Sequence, residues 1–95
     1  MNVEYTSRYV AEFEDLPADR QQSVVDAIQT FDYCVTHKKP ILSGLGLSPF
    51  RGSKSKYWEF RSTLADRILF NWVSGGILLR LVGSHNDLKK FAEEN

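Results

Sequence analysis

The chain has a single cysteine, Cys34, among its 95 residues. No intramolecular disulfide is possible, so packed side chains must hold the fold, and a reducing cytoplasm is the expected setting. Cys34 is expected as a small buried apolar residue on a helix, since no histidine stands beside it to make a catalytic thiol. Long apolar runs are missing too. The longest, Ile77–Leu79, falls far short of the roughly 20 residues that a membrane-spanning helix needs. The N-terminus lacks the basic, apolar, small-residue order of a secretory signal. These absences predict a soluble cytoplasmic protein with no membrane partner. Net charge is also absent: 12 Lys and Arg stand against 12 Asp and Glu. Nucleic-acid-binding domains usually carry excess positive charge, so the bulk balance speaks against such a partner. At 42% hydrophobic and 13% aromatic residues the chain is not disordered. It is one domain, too short for a Rossmann domain with a substrate domain, a TIM barrel or a kinase. No phosphate-binding loop, dinucleotide fingerprint or nucleophile elbow occurs. Two histidines and one cysteine give no zinc site of common spacing. His85 and Asp87 could at most share a metal as two ligands, so no metal and no cofactor is expected.

What is present reads as β–α–α–β–β–β–α, a small α+β domain in which an antiparallel meander packs against two N-terminal helices. Asn2–Tyr5 alternates weakly as a short strand. Thr6 or Ser7 can cap a helix carrying Tyr9, Val10 and Phe13 on one face. Pro17 suits the start of a second helix, along which Val24, Ile28, Phe31 and Val35 form a core-facing stripe. Residues 37–56 are punctuated by Pro40, Gly44, Gly46, Pro49 and Gly52. They predict a long loop anchored by Ile41, Leu42, Leu45, Leu47 and Phe50, and loops of that length are commonly functional. Tyr57–Ser62, Asp66–Val73 and Ile77–Gly83 are the meander strands, with Ser74-Gly75-Gly76 as the tight turn. Alternation puts Ile77, Leu79 and Leu81 on one face of the last strand. Ser84 or Asn86 can cap a terminal helix over Asp87–Glu94, whose Leu88 and Phe91 pack back.

The charges are segregated. Residues 1–36 carry seven acidic side chains against two basic, a balance of −5, and residues 37–67 carry seven basic against two acidic, a balance of +5. Residues 68–95 cancel at three of each. Neutrality thus conceals a basic loop and sheet. Tyr57, Trp58 and Phe60 stand among the basic residues, and aromatics beside cations offer stacking surfaces next to phosphate contacts, a combination suited to unpaired RNA. Pairing through the Gly75–Gly76 hairpin would bring Arg67 and the Gly83–His85 segment to one sheet end, with Arg61 reaching the same region. A histidine beside two arginines suits phosphoryl transfer: imidazole moves protons near neutral pH, and guanidinium groups bind phosphate and stabilise charge building on its oxygens.

The run Tyr57-Trp58-Glu59-Phe60-Arg61, then Asp66-Arg67-Ile68-Leu69-Phe70, resembles the RelE/ParE superfamily of type II toxins. The hairpin, Leu81-Val82-Gly83-Ser84-His85 and Asn86-Asp87-Leu88-Lys89-Lys90-Phe91 continue the likeness, which covers about 35 residues in detail. The resemblance implies a metal-independent endoribonuclease that cuts ribosome-bound mRNA by attack of a ribose 2′-hydroxyl on its own phosphate, held in check by a cognate antitoxin. On this reading Arg67 contacts the scissile phosphate, and His85 serves acid–base chemistry or charge stabilisation. Arg61 completes the basic set, and Glu59 is either a base or a surface charge. Lys54, Lys56, Tyr57, Trp58, Lys89 and Phe91 form the implied RNA-binding set. Phe91 falls where some relatives have a catalytic tyrosine, and a phenyl ring keeps only stacking or packing. An acidic or amphipathic antitoxin segment is expected on the basic side. Two alternatives stay open: a ParE-like toxin acting on DNA gyrase without nuclease chemistry, and a binding module of the same fold without toxicity.

Overall fold

The computed structural model describes residues 1–51 and 56–94. Its elements are β1 (Asn2–Tyr5), α1 (Ser7–Glu14), α2 (Ala18–Thr36), a 3₁₀ turn (Ser43–Leu45), β2 (Ser48–Pro49), β3 (Trp58–Arg61), β4 (Arg67–Val73), β5 (Gly76–Gly83) and α3 (His85–Glu94). The five strands form one sheet in the order β1-β5-β4-β3-β2. β1 runs parallel to β5 and the remaining neighbours are antiparallel, so the meander gains a strand at each edge.

Local chemistry accounts for the helix starts. Thr6 is the α1 cap: its Oγ1 accepts from the Tyr9 N–H at 3.1 Å and donates to the carbonyls of Leu79 and Arg80 on β5. One hydroxyl therefore satisfies an orphan helix donor and ties the β1–α1 corner to the sheet. Pro17 sits just before α2, where no backbone N–H is needed. On α2, Val24, Ala27, Phe31 and Cys34 are buried, with Ile28 and Val35 packed at the margin. The Phe31 ring stacks on Phe60 of β3 at 4.8 Å and meets Phe70 and Trp72 of β4.

The sheet is covered on both faces. Tyr9, Val24, Phe31, Phe60, Ile68, Phe70, Ile77 and Leu79 build the core under α1 and α2. Phe50, Tyr57, Leu69, Leu81, Leu88 and Phe91 build a second core under α3. Leu81 thus lies on the face opposite Ile77 and Leu79, against strict alternation. The cause is a register shift: Phe70 pairs with Leu79 but Leu69 pairs with Leu81, leaving Arg80 as the extra residue of a bulge. One inserted residue exchanges the faces of everything beyond it.

The loop after α2 is more structured than its composition predicts. Leu45 is buried, and Ile41 and Leu47 pack on the first core, but Leu42 is exposed. Ser48 and Pro49 pair with Glu59 and Trp58, and the Phe50 N–H donates to the Tyr57 carbonyl at 2.8 Å. Proline is tolerated there because β2 is an edge strand. The hairpin turn is Ser74-Gly75, with Gly75 at φ +78°. Gly76 is already in β5, and a Cβ there would lie 1.7 Å from the Asn2 carbonyl oxygen. Its missing side chain lets β1 approach.

Candidate functional site

α3 begins two residues earlier than Asp87. Ser84 precedes it, with its Oγ accepting from the Asp87 N–H at 3.1 Å, while the Asp87 carboxylate accepts from the Ser84 N–H at 2.9 Å. This reciprocal capping box sets the helix start. Hydrogen bonds to the carboxylate from the Ser84 backbone first, and then from the Ser84 side chain, hold the Asp87 carboxyl below its ordinary range. His85 therefore occupies the first turn of a helix rather than a free loop, and it is exposed.

Phe50 supports it from below, with ring centroids 5.9 Å apart. Together Ser48, Pro49, Phe50, Arg51, Glu59, His85 and Lys89 line an open groove of about 480 Å³. One wall is β2 and the residues after it, the floor is β3, and the other wall is the first two turns of α3. Glu59 is buried, at 6% exposure, yet its carboxylate is not orphaned: Arg67 Nη1 donates to Oε1 at 2.6 Å. Arg67 pairs across the sheet with Gly83, which places it at the same sheet end as His85. The groove thus gathers one carboxylate, one imidazole and two exposed cations, Arg51 and Lys89, with a third cation behind the carboxylate. Two or three cations around a cleft favour an anionic ligand, and an imidazole with a carboxylate can exchange protons with it. Among the described residues no group of three or more His, Cys, Asp or Glu side chains converges as a metal-binding cluster.

No protein-family model matches the sequence, and no curated protein matches it significantly. Solved structures do match. A chain of the E. coli DinJ–YafQ toxin–antitoxin complex superposes at a TM-score of 0.67 with 14% identity, over 92% of this chain and 94% of that one. The fold is that of the RelE/YafQ-like toxins. A metal-bound toxin from Helicobacter pylori gives a TM-score of 0.69 at 10% identity, over 93% of this chain and 98% of that one. The RelB–RelE antitoxin–toxin complex from Methanococcus jannaschii gives 0.66 at 14% identity, over 93% and 96%.

Within this RelE/YafQ-like fold only some of the predicted site residues come together. Glu59, Arg67, His85 and Lys89 come together at the groove. Arg61 does not join them, although it pairs with Arg67 in register. Its Nε donates to the Gly44 carbonyl at 3.2 Å, and its side chain lines a different groove between α2 and the 3₁₀ turn. The 3₁₀ turn, invisible in the residue pattern, captures it. The aromatic members of the RNA-binding set are packed rather than presented. Tyr57 is 2% exposed and meets Phe91 at 5.9 Å under α3. Trp58 is half-buried on the α1–α2 face, edge-on to Trp72. Lys56 is exposed next to the strand, its carbonyl accepting from Asn71. Lys54 lies outside the described residues. The sequence reading missed Arg51 and Phe50 as groove residues, because only β2 pairing carries them to Glu59 and His85. The signal available was the apolar Phe50 followed by a cation within a loop otherwise rich in glycine and serine.

Proposed function

We propose that this protein is the toxin of a type II toxin–antitoxin pair and that its groove cleaves mRNA held on the ribosome. The observation that carries the reading is the convergence of Glu59, His85, Arg51 and Lys89 on one groove, with Arg67 bonded to Glu59. RNA cleavage of this kind needs a base to take the 2′-hydroxyl proton, cationic donors for the phosphate, and an acid for the departing 5′-oxygen. Glu59 takes the 2′ proton as O2′ bonds to phosphorus. The bond from phosphorus to the 5′-oxygen breaks, and His85 delivers the proton that oxygen needs. A 2′,3′-cyclic phosphate and a free 5′-hydroxyl result. Arg67 has N–H groups beyond the one spent on Glu59, and with Arg51 these neutralise charge on the phosphate oxygens. No metal is required in this scheme. The neighbours include complexes with antitoxins, which supports a cognate antitoxin as the partner here, and the chain works in the cytoplasm where ribosomes are.

The test is cleavage-site mapping on ribosome-bound message with purified protein. His85→Ala is expected to slow cleavage by roughly 10²–10⁴-fold with the fold intact, and Arg67→Ala by a similar factor, read alongside Arg67→Lys because it also leaves buried Glu59 unpaired. Parent-like cleavage by both variants overturns the site. Growth arrest with a DNA-damage response and uncut message favours a gyrase-directed toxin instead.

A further inference from the structure

A predominantly apolar concavity is on the other side of the sheet from His85 and shares no residue with its groove. Tyr5, Tyr9, Val10, Phe13, Val25 and Ile28 line it, between α1 and α2, with a volume of about 350 Å³. Tyr5, Tyr9 and Phe13 form a stacked ladder along one side, with successive centroids 5.6 and 6.0 Å apart. Tyr5 is 56% exposed and Val10 40%. Water-facing aromatic and β-branched side chains in a groove rather than scattered singly mark a binding surface.

The charge around this groove selects its occupant. A shallower groove, sharing Tyr5 and Val10 with it, is bordered by Glu14 and Asp15. The α1–α2 layer carries only two cations, and both are committed elsewhere. Arg8 pairs with Glu12 at 2.8 Å. Arg20 forms a two-pronged pair with buried Asp66 at 2.6 and 2.8 Å, and those hydrogen bonds raise the affinity of its guanidinium for the proton. Neither lines the apolar groove. The result is an apolar floor with an acidic rim and no available counter-charge in the helical layer among the described residues. α1 spans eight residues, so the floor is roughly 12 Å long, about two turns of a helix laid along it.

We propose that this groove is a second interaction surface and seats a basic amphipathic helix from a partner protein. Two or three apolar side chains at i, i+3 and i+4 fill the floor, and flanking Lys or Arg face Glu14 and Asp15. The inference does not depend on RNA cleavage. Occupancy leaves the His85 groove open.

The probe is a designed peptide of roughly 18 residues with a leucine face and a lysine face, compared with its leucine–glutamate counterpart. Titration of the full chain by fluorescence anisotropy is expected to give saturable one-to-one binding of the lysine peptide that weakens with added salt. The glutamate peptide is expected to bind at least about tenfold more weakly. Val10→Glu adds acid but spoils the apolar floor, and is expected to weaken the lysine peptide about tenfold or more. Glu14→Lys with Asp15→Lys weakens it through the rim, and His85→Ala leaves it unchanged. Circular dichroism checks each variant, and Tyr5→Ser replaces Val10→Glu if the latter fails to fold. Equal binding of both peptides, or parent-like binding by the groove variants, overturns the proposal. So does self-association abolished by Val10→Glu in sedimentation, which would make the occupant a second copy of this chain.

Discussion

Glu59 and Arg67 form a partly buried ion pair in which each partner depends on the other. A carboxylate 6% exposed beside a cation at 2.6 Å leaves an uncompensated buried charge if its partner is removed. Arg67→Ala is therefore read together with Arg67→Lys, which keeps the charge but loses the planar fork. Arg51 and Lys89 differ in kind: both are exposed at the groove mouth. Their substitution by alanine is expected to raise KM several-fold with little change in kcat, because an exposed cation that holds substrate and transition state alike contributes uniform binding. Steady-state cleavage at varied salt checks this, with the parent losing more affinity at high salt than the double variant.

At the scale of the element, α3 is the part that positions His85, and the Ser84–Asp87 capping box holds its first turn. Ser84→Ala is expected to cost about 1 kcal/mol, lowering Tm by roughly 4–8 °C for a domain this size. The Asp87 carboxyl is held low in the folded chain, so its contribution is fully present above the ordinary carboxylate range. It is lost as pH falls through the lowered folded value. Asp87→Asn should therefore flatten the acid limb of the stability curve, measured by thermal melts from neutral pH downward. β1 depends on the other end of β5. A methyl at residue 76 would meet the Asn2 backbone, not a flexible side chain. Gly76→Ala is expected to detach β1, visible as rapid amide exchange at residues 2–5 and loss of several kcal/mol of stability.

The whole molecule is a sheet with two separate cores, and Phe31 joins α2 to three aromatic residues of β3 and β4. Phe31→Ala is expected to cost about 3–5 kcal/mol by removing apolar contact and leaving a cavity. Domains of this size have roughly 5–15 kcal/mol in total, so urea unfolding should shift markedly or the variant fail to fold. Charge is also organised at this scale. The acidic helices face one way, and the cationic groove lies across the sheet beneath α3. Zero net charge is therefore a sum over two unlike surfaces, and neither groove is legible in the total.

Periodicity alone placed α1, α2 and the three long strands, because apolar spacing and turn chemistry are local properties of the chain. Thr6, Pro17, Cys34 and the Gly75 turn could be read the same way. The pairing of Arg67 with the end of β5 followed from hairpin register, so the sheet end holding His85 was legible as well. Other features depend on distant partners. The bulge that turns Leu81 to the α3 core needs β4 and β5 side by side, since strict alternation has no way to record an unpaired residue. The 3₁₀ turn that captures Arg61, and the β2 pairing that delivers Phe50 and Arg51, arise from loop residues meeting β3. Tyr57 reads as an RNA contact among basic neighbours, but covering the second sheet face with α3 buries it, while Phe91 packs back as the pattern of its helix predicts. Sequence by itself determined the three helices, the four longer strands and which ionisable and aromatic groups are available. Tertiary structure decided which charged and aromatic side chains share a groove, because that depends on register and on which face each helix covers.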